Sequence, residues 1–416
     1  MKTAAQQQQE GADRPYGRAY FGWFGLAWAG GTIAYQPFLS FLLPLKIVEI
    51  QGRPDPMLLS AAILLGGVAA GIANLGWGIA GDHAVVRGGS RRNWVAAGVA
   101  GTLGSYVTLA LAGSATALLG ALLCFQVALN LMLSALVASG ADEVLDRDKG
   151  LLGGVLCIGA PVGAAASVLA TLPGMSLDSG MICVALMFPL LVLPFAAQNG
   201  RPVRGNAVAA PASTPGQIRA FAVLWSVRLV LQIASKTMFF FLIYYFAETL
   251  GSVSAAAIAK LTLIAAMLAA PAALILGRVS DRQKNHRTTL LMMIGIMVVG
   301  LVIMALQRQW THAVIGYLLF ASAAAICLAL HAGYSMLELP GGLQSGKGLG
   351  LLNLTNTLPA FVVAALGTAI VPQHGYRALC WILAVAVASS AILLIWPAGR
   401  SQRHAPSRQR PPLPRA

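Results

Sequence analysis

The sequence has few charged residues and very few acidic ones. Charged residues make up 10% of the 416, where about 25% is usual in a soluble domain, so a soluble globular protein is excluded. Asp and Glu together number 13, and all of them fall in tails, in loops or at the ends of apolar segments. No carboxylate therefore lies in the middle of a segment, where it would carry a proton or neutralise a buried cation.

The motifs of catalytic and cofactor-binding proteins are also missing. The five cysteines lie in apolar stretches without a CxxC pair, the six histidines form no HExxH pattern, and no GxxxxGK[ST] loop occurs. We therefore expect no enzyme, no metal, no cofactor and no ATP-driven pump. The polar N-terminal stretch lacks the pattern of a cleavable signal peptide, so we expect the first apolar segment to act as an uncleaved insertion signal.

Long apolar segments dominate what is present, because hydrophobic residues make up 57% of the chain. At about 20 residues per membrane crossing, we predict an all-α integral membrane protein of twelve transmembrane helices. The predicted segments are residues 19–48, 57–80, 94–113, 115–139, 149–172, 178–197, 220–248, 254–277, 288–307, 311–335, 347–371 and 376–397. The predicted domains are a tail at 1–18, a six-helix bundle at 19–197, a linker at 198–218, a second bundle at 219–398 and a basic tail at 399–416.

An internal repeat supports the division into two bundles. Three short patterns of the first half recur in the second half at offsets of 198 or 199 residues. The pairs are Gly78–Asp82 with Gly277–Asp281, Lys149-Gly with Lys347-Gly, and Glu49 and Gly52 with Glu248 and Gly251. Such agreement predicts two copies of one six-helix unit.

The positive charges predict the orientation. With twelve crossings, 21 Lys and Arg residues fall on one side and 4 on the other, and the rich side is the cytoplasmic one. We therefore expect a multi-pass protein of the cytoplasmic (inner) membrane with both termini in the cytoplasm. The net charge of +15 then reflects membrane topology, so membrane lipid, and no nucleic acid, is the expected partner.

Two loop motifs carry a resemblance to a known family. The sequence reads Gly78-x-x-x-Asp82-His83 after segment 2 and Gly277-x-x-x-Asp281-Arg282 after segment 8. This is similar to the G-x-x-x-D-R-x-G-R-R signature of the major facilitator superfamily, from which the first copy departs at His83. The resemblance covers about residues 18–398 and implies a monomeric secondary transporter that works by alternating access.

The resemblance also implies a conformational gate at these loops. Each Asp would meet the dipole of a helix start in the other half, Asp82 near Lys347 and Asp281 near Gly150. The residues implied for the gate are Gly78, Asp82, Arg91, Arg92, Gly277, Asp281, Arg282 and Arg287.

Segment 7 holds the polar face on which the functional reading depends. Arg228, Gln232 and Lys236 are spaced at i, i+4 and i+8, so they share one helical face. A cation at mid-membrane costs about 2.5–3.5 kcal/mol on insertion scales. We therefore expect this face to line a polar cavity and to bind substrate.

Other polar residues inside the segments are further candidates. Cavity lining and helix–helix hydrogen bonding are equally open for each of Gln126, Asn130, Asn353 and Asn356 alone. The substrate-binding candidates are Gln126, Asn130, Tyr35, Gln36, Asn353 and Asn356, and the candidates for proton coupling are His331 and Glu338.

These observations favour a secondary transporter of a small polar or anionic organic solute, with the proton as an open choice of coupling ion. A proton-coupled efflux antiporter is the first alternative, since Gly159–Gly163 resembles the G-P-x-x-G-G motif of drug and proton antiporters. The pattern from Gly350 to Pro359 resembles that of sucrose- and glycoside-type symporters. A non-transporting membrane sensor or lipid-handling protein is the alternative from another class.

Overall fold

The protein is described by a computed structural model that covers residues 18–144, 152, 155–198, 215–251, 254–283, 285–306, 309–337 and 354–395. Every regular element within these ranges is a helix. In chain order they are α1 (Arg18–Pro37), a π-helical turn (Phe38–Leu42), α2 (Leu43–Gln51), α3 (Pro56–Val86), α4 (Arg91–Ala110), α5 (Ala115–Glu143), α6 (Gly159–Ala170), α7 (Leu177–Ala196), α8 (Pro215–Leu250), α9 (Ala255–Gln283), α10 (His286–Leu306), α11 (Trp310–Leu337), α12 (Pro359–Ala369) and α13 (Val371–Ile395).

Local signals in the sequence set the starts of several helices. Asp55 caps α3, because its Oδ1 accepts the Leu58 N–H at 2.9 Å, and Pro56 occupies the first helical position, where its missing N–H costs nothing. Ser114 caps α5 in the same way. The helix that contains the first motif, α3, therefore begins at a defined residue.

The first membrane crossing changes its helical geometry at Pro37. Proline has no N–H to donate to the preceding turn, and the next five residues, Phe38–Leu42, are π-helical and all buried. The chain regains α geometry at Leu43, whose N–H donates to the Phe38 carbonyl. Helices α1 and α2 thus form one continuous crossing with a local widening in its middle.

Length and composition make most of these helices membrane-spanning. Within the described ranges, nine helices are long and apolar enough to cross a membrane, while Gly159–Ala170 and 354–369 are shorter apolar helices. Gly375 has a φ of 72°, a left-handed conformation that suits glycine, and it separates the end of predicted segment 11 from segment 12. The prediction of an all-α membrane bundle is confirmed.

The helices before residue 198 pack mainly on one another, as do those after residue 215. In the first set α4 and α3 lie against α5, and α1 lies against α6 and α7; in the second set α10 lies against α11 and α13, and α8 against α11, α12 and α13. The two sets meet where α3 packs on α12 and α6 packs on α9. Each set thus has its own interior.

Buried aromatic residues fill the interior of the first set. Phe38 and Phe125 have ring centroids 4.9 Å apart, and Tyr106 contacts both rings while its hydroxyl donates to the Ala34 carbonyl at 2.9 Å. Lipid tails are as apolar as these side chains, so close packing and buried hydrogen bonds stabilise the bundle more than burial itself does.

The contact between the two sets differs along the bundle. We call the end that carries Arg87, Arg91, Arg278 and Arg282 the basic end. Toward the opposite end, the Tyr244 hydroxyl of α8 donates to the Pro44 carbonyl of α2 at 3.1 Å. Between the ends, Gly67 of α3 lies against Ala360 of α12 so closely that a side chain at Gly67 would clash. Among the described residues, the Tyr244–Pro44 hydrogen bond and the close contact of small residues therefore both join the sets.

Candidate functional site

The polar face predicted on segment 7 lies along α8. Arg228, Gln232 and Lys236 are all half-buried, and they follow one another at intervals of about 6 Å along the axis. Lys236 is 21 residues after the start of α8 at Pro215 and 14 before its end at Leu250, so it lies well inside the membrane. This face is the largest concentration of polar side chains on α8 within the membrane.

Arg228 is held by two other helices of the second set. Its Nε donates to Thr355 Oγ1 at 3.1 Å, and its Nη1 donates to the Leu328 carbonyl of α11 at 3.4 Å. Thr355 is fully buried. A guanidinium has five N–H donors, so two of them fix the side chain while the others stay available for a ligand.

Gln232 and Lys236 differ in their partners. Gln232 Nε2 donates to Asn356 Oδ1 at 2.6 Å, which brings together two residues that the sequence analysis had predicted separately as substrate-binding. Lys236 makes no hydrogen bond or ion pair with any residue in the described ranges. Helix α12, which packs on α8, has the sequence PAFVVAALGTA and offers that helix almost no polar side chain.

The polar residues of segment 4 point toward a neighbouring helix. Gln126 and Asn130 of α5 are 7% and 8% exposed, and Asn130 Nδ2 donates to the Gln126 carbonyl at 2.8 Å. Asn130 Oδ1 also accepts a long 3.5 Å hydrogen bond from Asn74 of α3. Of the two roles left open by the sequence, hydrogen bonding between helices is the one that these contacts support.

Gln36 lies at the contact between α1 and α6. Both Gln36 and its neighbour Tyr35 are half-buried. A Cβ at Gly163 would lie 2.5 Å from Gln36 Oε1, and one at Gly159 would meet Thr32 and Trp28. The glycines of the motif in segment 5 therefore permit close packing of α6 on α1.

His331 of α11 is the most enclosed of the polar candidates. It is 0% exposed, and its Nδ1 is hydrogen-bonded to Ser335 Oγ at 3.0 Å. Its Nε2 has no hydrogen-bond partner among the described residues. The other coupling candidate, Glu338, and the substrate-binding candidate Asn353 lie outside the described ranges.

The first gate motif forms an ion-pair cluster at the basic end. Arg91 donates to Asp82 Oδ1 at 2.7 Å and to Asp142 Oδ2 at 2.6 Å, so it joins the ends of α3 and α5. Asp82 keeps 68% of its side chain exposed. The helix start near Lys347, which the resemblance implied as the partner of Asp82, lies outside the described ranges, so the latch stays a prediction.

Two details of this motif differ from the expected loop. Helix α3 continues to Val86, so Gly78–Asp82 is helical, and α4 begins at Arg91 because Ser90 caps it by accepting the Arg92 N–H at 3.2 Å. Arg92 is buried and donates to Glu143 Oε2 at 2.6 Å, and its guanidinium lies 3.5 Å from the Phe195 ring centroid. Burial raises the pKa of Glu143, and the Arg92 charge opposes that rise.

The second gate motif borders a cavity at the same end. The cavity has a volume of about 480 Å³ and lies among α9, α10 and α11. Ser280 Oγ is 2.8 Å from His286 Nδ1, and the His286 ring stacks on Tyr334. Gly277 lines the cavity, while Arg282 is exposed and Arg287 is half-buried. Asp281 lies in α9. The helix start near Gly150, which the resemblance implied as its partner, lies outside the described ranges.

The sequence analysis missed three residues of functional interest. Thr355 holds Arg228, Asn74 contacts Asn130, and Tyr244 joins the two sets of helices. Thr355 stands between Asn353 and Asn356 in the sequence, so the cluster of polar residues in segment 11 could have indicated it as a site residue. Among the described residues, no group of three or more His, Cys, Asp or Glu side chains is placed to hold a metal ion.

The comparisons with known proteins agree with this geometry. The family model described as "Major Facilitator Superfamily" matches residues 224–415, and a search of curated proteins finds no match. A peptide transporter, POT, in complex with sulfate is similar over 93% of this chain and 97% of its own, with a TM-score of 0.72 at 13% identity.

Two further transporter structures are similar over nearly the whole chain. The human organic anion transporter MFSD10 (TETRAN) gives a TM-score of 0.60 at 16% identity, covering 92% of this chain and 100% of that one. A bacterial homologue of the human lysosomal transporter Spinster, in an inward-facing and occupied conformation, gives 0.65 at 13% identity, covering 92% and 97%. Identities this low establish the fold, and the twelve-helix fold predicted from the sequence is confirmed.

Proposed function

We propose a small anionic organic solute as the substrate of this chain, which is a secondary transporter of the Major Facilitator Superfamily. The observation that carries the proposal is Lys236. This ammonium lies in the middle of α8, half-buried, without an ion pair or hydrogen bond to any described residue. An uncompensated cation at that depth is costly, and a bound anion would offset the cost.

Arg228 supports the same substrate class. Two of its donors are fixed by Thr355 and Leu328, which orients the remaining donors without neutralising the charge. Arg228 and Lys236 are eight residues apart, or about 12 Å along the axis. A substrate long enough to span this separation would place a second anionic or polar group at Arg228 while the first binds Lys236.

Within the part of the chain that the structure describes, no carboxylate pairs with Arg228 or Lys236. The carboxylates with known contacts lie near helix ends: Asp82 and Asp142 pair with Arg91, Glu143 pairs with Arg92, and Glu248 accepts the Tyr376 N–H. A cationic drug would meet like charge along α8, which disfavours the efflux of such drugs.

For the transport cycle we propose alternating access with the basic end in the cytoplasm. Among the described residues, the Tyr244–Pro44 hydrogen bond joins the two sets, and it lies toward the end opposite the basic end. The conformation then resembles an inward-facing state, closed on the extracellular side. Asp82, Asp281 and their neighbouring arginines would close the basic end when the sets rock the other way.

Thermal stabilisation of the purified protein tests the substrate class. The panel contains lactate, succinate, benzoate and inorganic phosphate as anions, sucrose as a neutral sugar, and tetraphenylphosphonium as a lipophilic cation. A hydrogen bond to a charged group contributes about 1.5–3 kcal/mol, so Lys236→Gln should weaken anion binding by about ten- to 150-fold. Lys260→Gln is the matched control, because Lys260 is an exposed lysine of α9.

The outcomes separate the alternatives. An anion that stabilises the wild type and Lys260→Gln, but not Lys236→Gln, supports the proposal. Stabilisation of all three proteins by sucrose alone would indicate a sugar transporter and a structural role for Lys236. Stabilisation by tetraphenylphosphonium alone would contradict the argument from charge and favour efflux of cations.

A further inference from the structure

The cavity among α9, α10 and α11, which we call the α9–α11 cavity, has a filled counterpart in the first set of helices. Its volume is about 480 Å³, within the range of about 300–1,000 Å³ that is usual for small-molecule sites. The counterpart among α3, α4 and α5 has a volume of only about 10 Å³, which is about enough for one water molecule. One set of helices therefore leaves open a space that the other set closes.

The walls of the two cavities correspond in sequence. Apart from Trp77, each residue that α3 and α5 contribute to the counterpart is matched, 199 positions later, by a residue that lines the α9–α11 cavity. The matched pairs are Gly78 with Gly277, Gly81 with Ser280, Ser134 with Gly333, and Ala135 with Tyr334. Arg91 and His286, the first residues of α4 and α10, also line the two cavities. Both cavities are thus one feature of the repeated six-helix unit.

Two indole rings of the protein itself fill the counterpart. The rings of Trp77 and Trp94 have centroids 5.8 Å apart, and Trp77 Nε1 donates to the Val127 carbonyl of α5 at 3.0 Å. The residue 199 positions after Trp77 is Leu276. Trp94 is the fourth residue of α4, and the fourth residue of α10 is Thr289. The second set therefore lacks both rings at the corresponding positions.

The α9–α11 cavity offers surfaces that suit a flat ring with a polar edge. The His286 and Tyr334 rings stack with centroids 5.3 Å apart, and aromatic rings favour offset and edge contacts with further rings. Ser280 Oγ lies 2.8 Å from His286 Nδ1 and adds a polar group to the same wall. A Cβ at Gly333 would meet no atom of the described residues within 4 Å. Aromatic surface, a polar group and free space thus lie together.

We infer that the α9–α11 cavity binds a planar heteroaromatic compound of about the size of indole, which takes the place that two tryptophan rings occupy in the first set. The site is separate from the proposed anion site. Leu328, whose carbonyl accepts from Arg228, and Gly333, which lines the cavity, are about 140° apart around the axis of α11. The inference therefore does not depend on the substrate of the transporter.

Binding of tritiated indole to the full chain in nanodiscs tests the inference. We expect saturable binding of one indole per wild-type molecule, above the uptake by empty nanodiscs. Gly333→Trp places a tethered indole in the cavity and should weaken the binding of free indole by at least about tenfold, since the two compete for one space. Gly295→Trp is the matched control, because Gly295 of α10 also has nothing within 4 Å of an added Cβ and does not line the cavity.

A second variant keeps the test decisive if Gly333→Trp does not fold. Tyr334→Ala removes one aromatic wall, and the loss of a ring–ring contact should weaken indole binding about two- to twelvefold. Lys236→Gln should bind indole as the wild type does, so failure of the anion panel and failure of this inference are distinguishable. Indole binding that neither Gly333→Trp nor Tyr334→Ala weakens would overturn the inference.

Competition tests the chemical class of the ligand. Quinoline, a planar heteroaromatic compound of similar size, should displace indole from the wild type. Decalin, a saturated bicyclic hydrocarbon, should not, because it has neither an aromatic face nor a polar edge. Equal displacement by decalin would indicate a site for lipid chains and would overturn the inference, as would the absence of saturable indole binding to the wild type.

Discussion

Replacement of Tyr244 by phenylalanine should shift the protein toward its state that is open at the end opposite the basic end. Tyr244 is 1% exposed, and its hydroxyl donates to the Pro44 carbonyl at 3.1 Å and lies near the backbone of Asp55. In the closed state this hydroxyl joins the two sets of helices. In the open state water would satisfy it, so its removal penalises the closed state alone.

The size of the shift follows from the hydrogen bond. A net contribution of about 0.5–1.5 kcal/mol is lost, and the Pro44 carbonyl is left partly unsatisfied. Together we expect about 1–2 kcal/mol against the closed state, which raises the ratio of open to closed molecules by roughly five- to thirtyfold.

Distances between two spin labels, measured by double electron–electron resonance, would report that ratio. Spin labels at Gln51→Cys and Ser254→Cys, two exposed positions flanking the closed end on different sets, are introduced after replacement of the five native cysteines. The longer distance should gain population in Tyr244→Phe, in nanodiscs and without substrate.

The neighbouring tyrosine supplies the control. Tyr245 is equally buried, and its hydroxyl donates to the Met304 carbonyl at 2.8 Å, but both residues belong to the second set. Tyr245→Phe removes a similar hydrogen bond, but this bond lies within the second set and does not connect the two sets. If Tyr244→Phe changes the distance distribution no more than Tyr245→Phe does, the reasoning about this contact is refuted.

Two further predictions concern stability. Gly98→Ala should have a melting temperature well below that of Gly104→Ala. A Cβ at Gly98 meets the backbone of α5, whereas one at Gly104 meets nothing within 4 Å. Equal melting temperatures for the two variants would contradict the close approach of α4 to α5. Burial raises the pKa of Glu143, so the folded protein binds this proton more tightly than the unfolded chain, and stability should fall as pH rises from the ordinary glutamate pKa of about 4.3 through the raised value. Melting curves of Glu143→Gln across that range should lack this component, and a wild type that gains stability with rising pH there would contradict the assignment.

The helices could be predicted because the sequence features that define each crossing are local. A run of about 20 apolar residues suffices to define a crossing, and α10, predicted at residues 288–307, is found at His286–Leu306. The end of α3 was placed too early, at residue 80, since the residues that follow were read as a loop. His83 and the valines that follow continue the helix to Val86.

The site was predictable in part, for a physical reason. Helical spacing identifies the face on which Arg228, Gln232 and Lys236 lie, but it does not identify what faces them. The contacts of Arg228 with Thr355 and Leu328 join residues 127 and 100 positions apart, and only the tertiary structure brings them together. The same limit explains Asn130, whose polar neighbour in α3 was invisible in the pattern of segment 4.

The small-residue contact between α3 and α12 bears on how fast the transporter turns over. Gly67 meets Ala360, and Gly71 meets Thr357, in each case through methyl or methylene groups without a hydrogen bond. Movement of the two sets in the proposed transport cycle would break no hydrogen bond at this contact, so the contact would add little to the activation barrier. In the proposed alternating-access cycle, the polar contacts at the two ends, such as Tyr244 with Pro44, would then govern the rate of exchange more than this contact does.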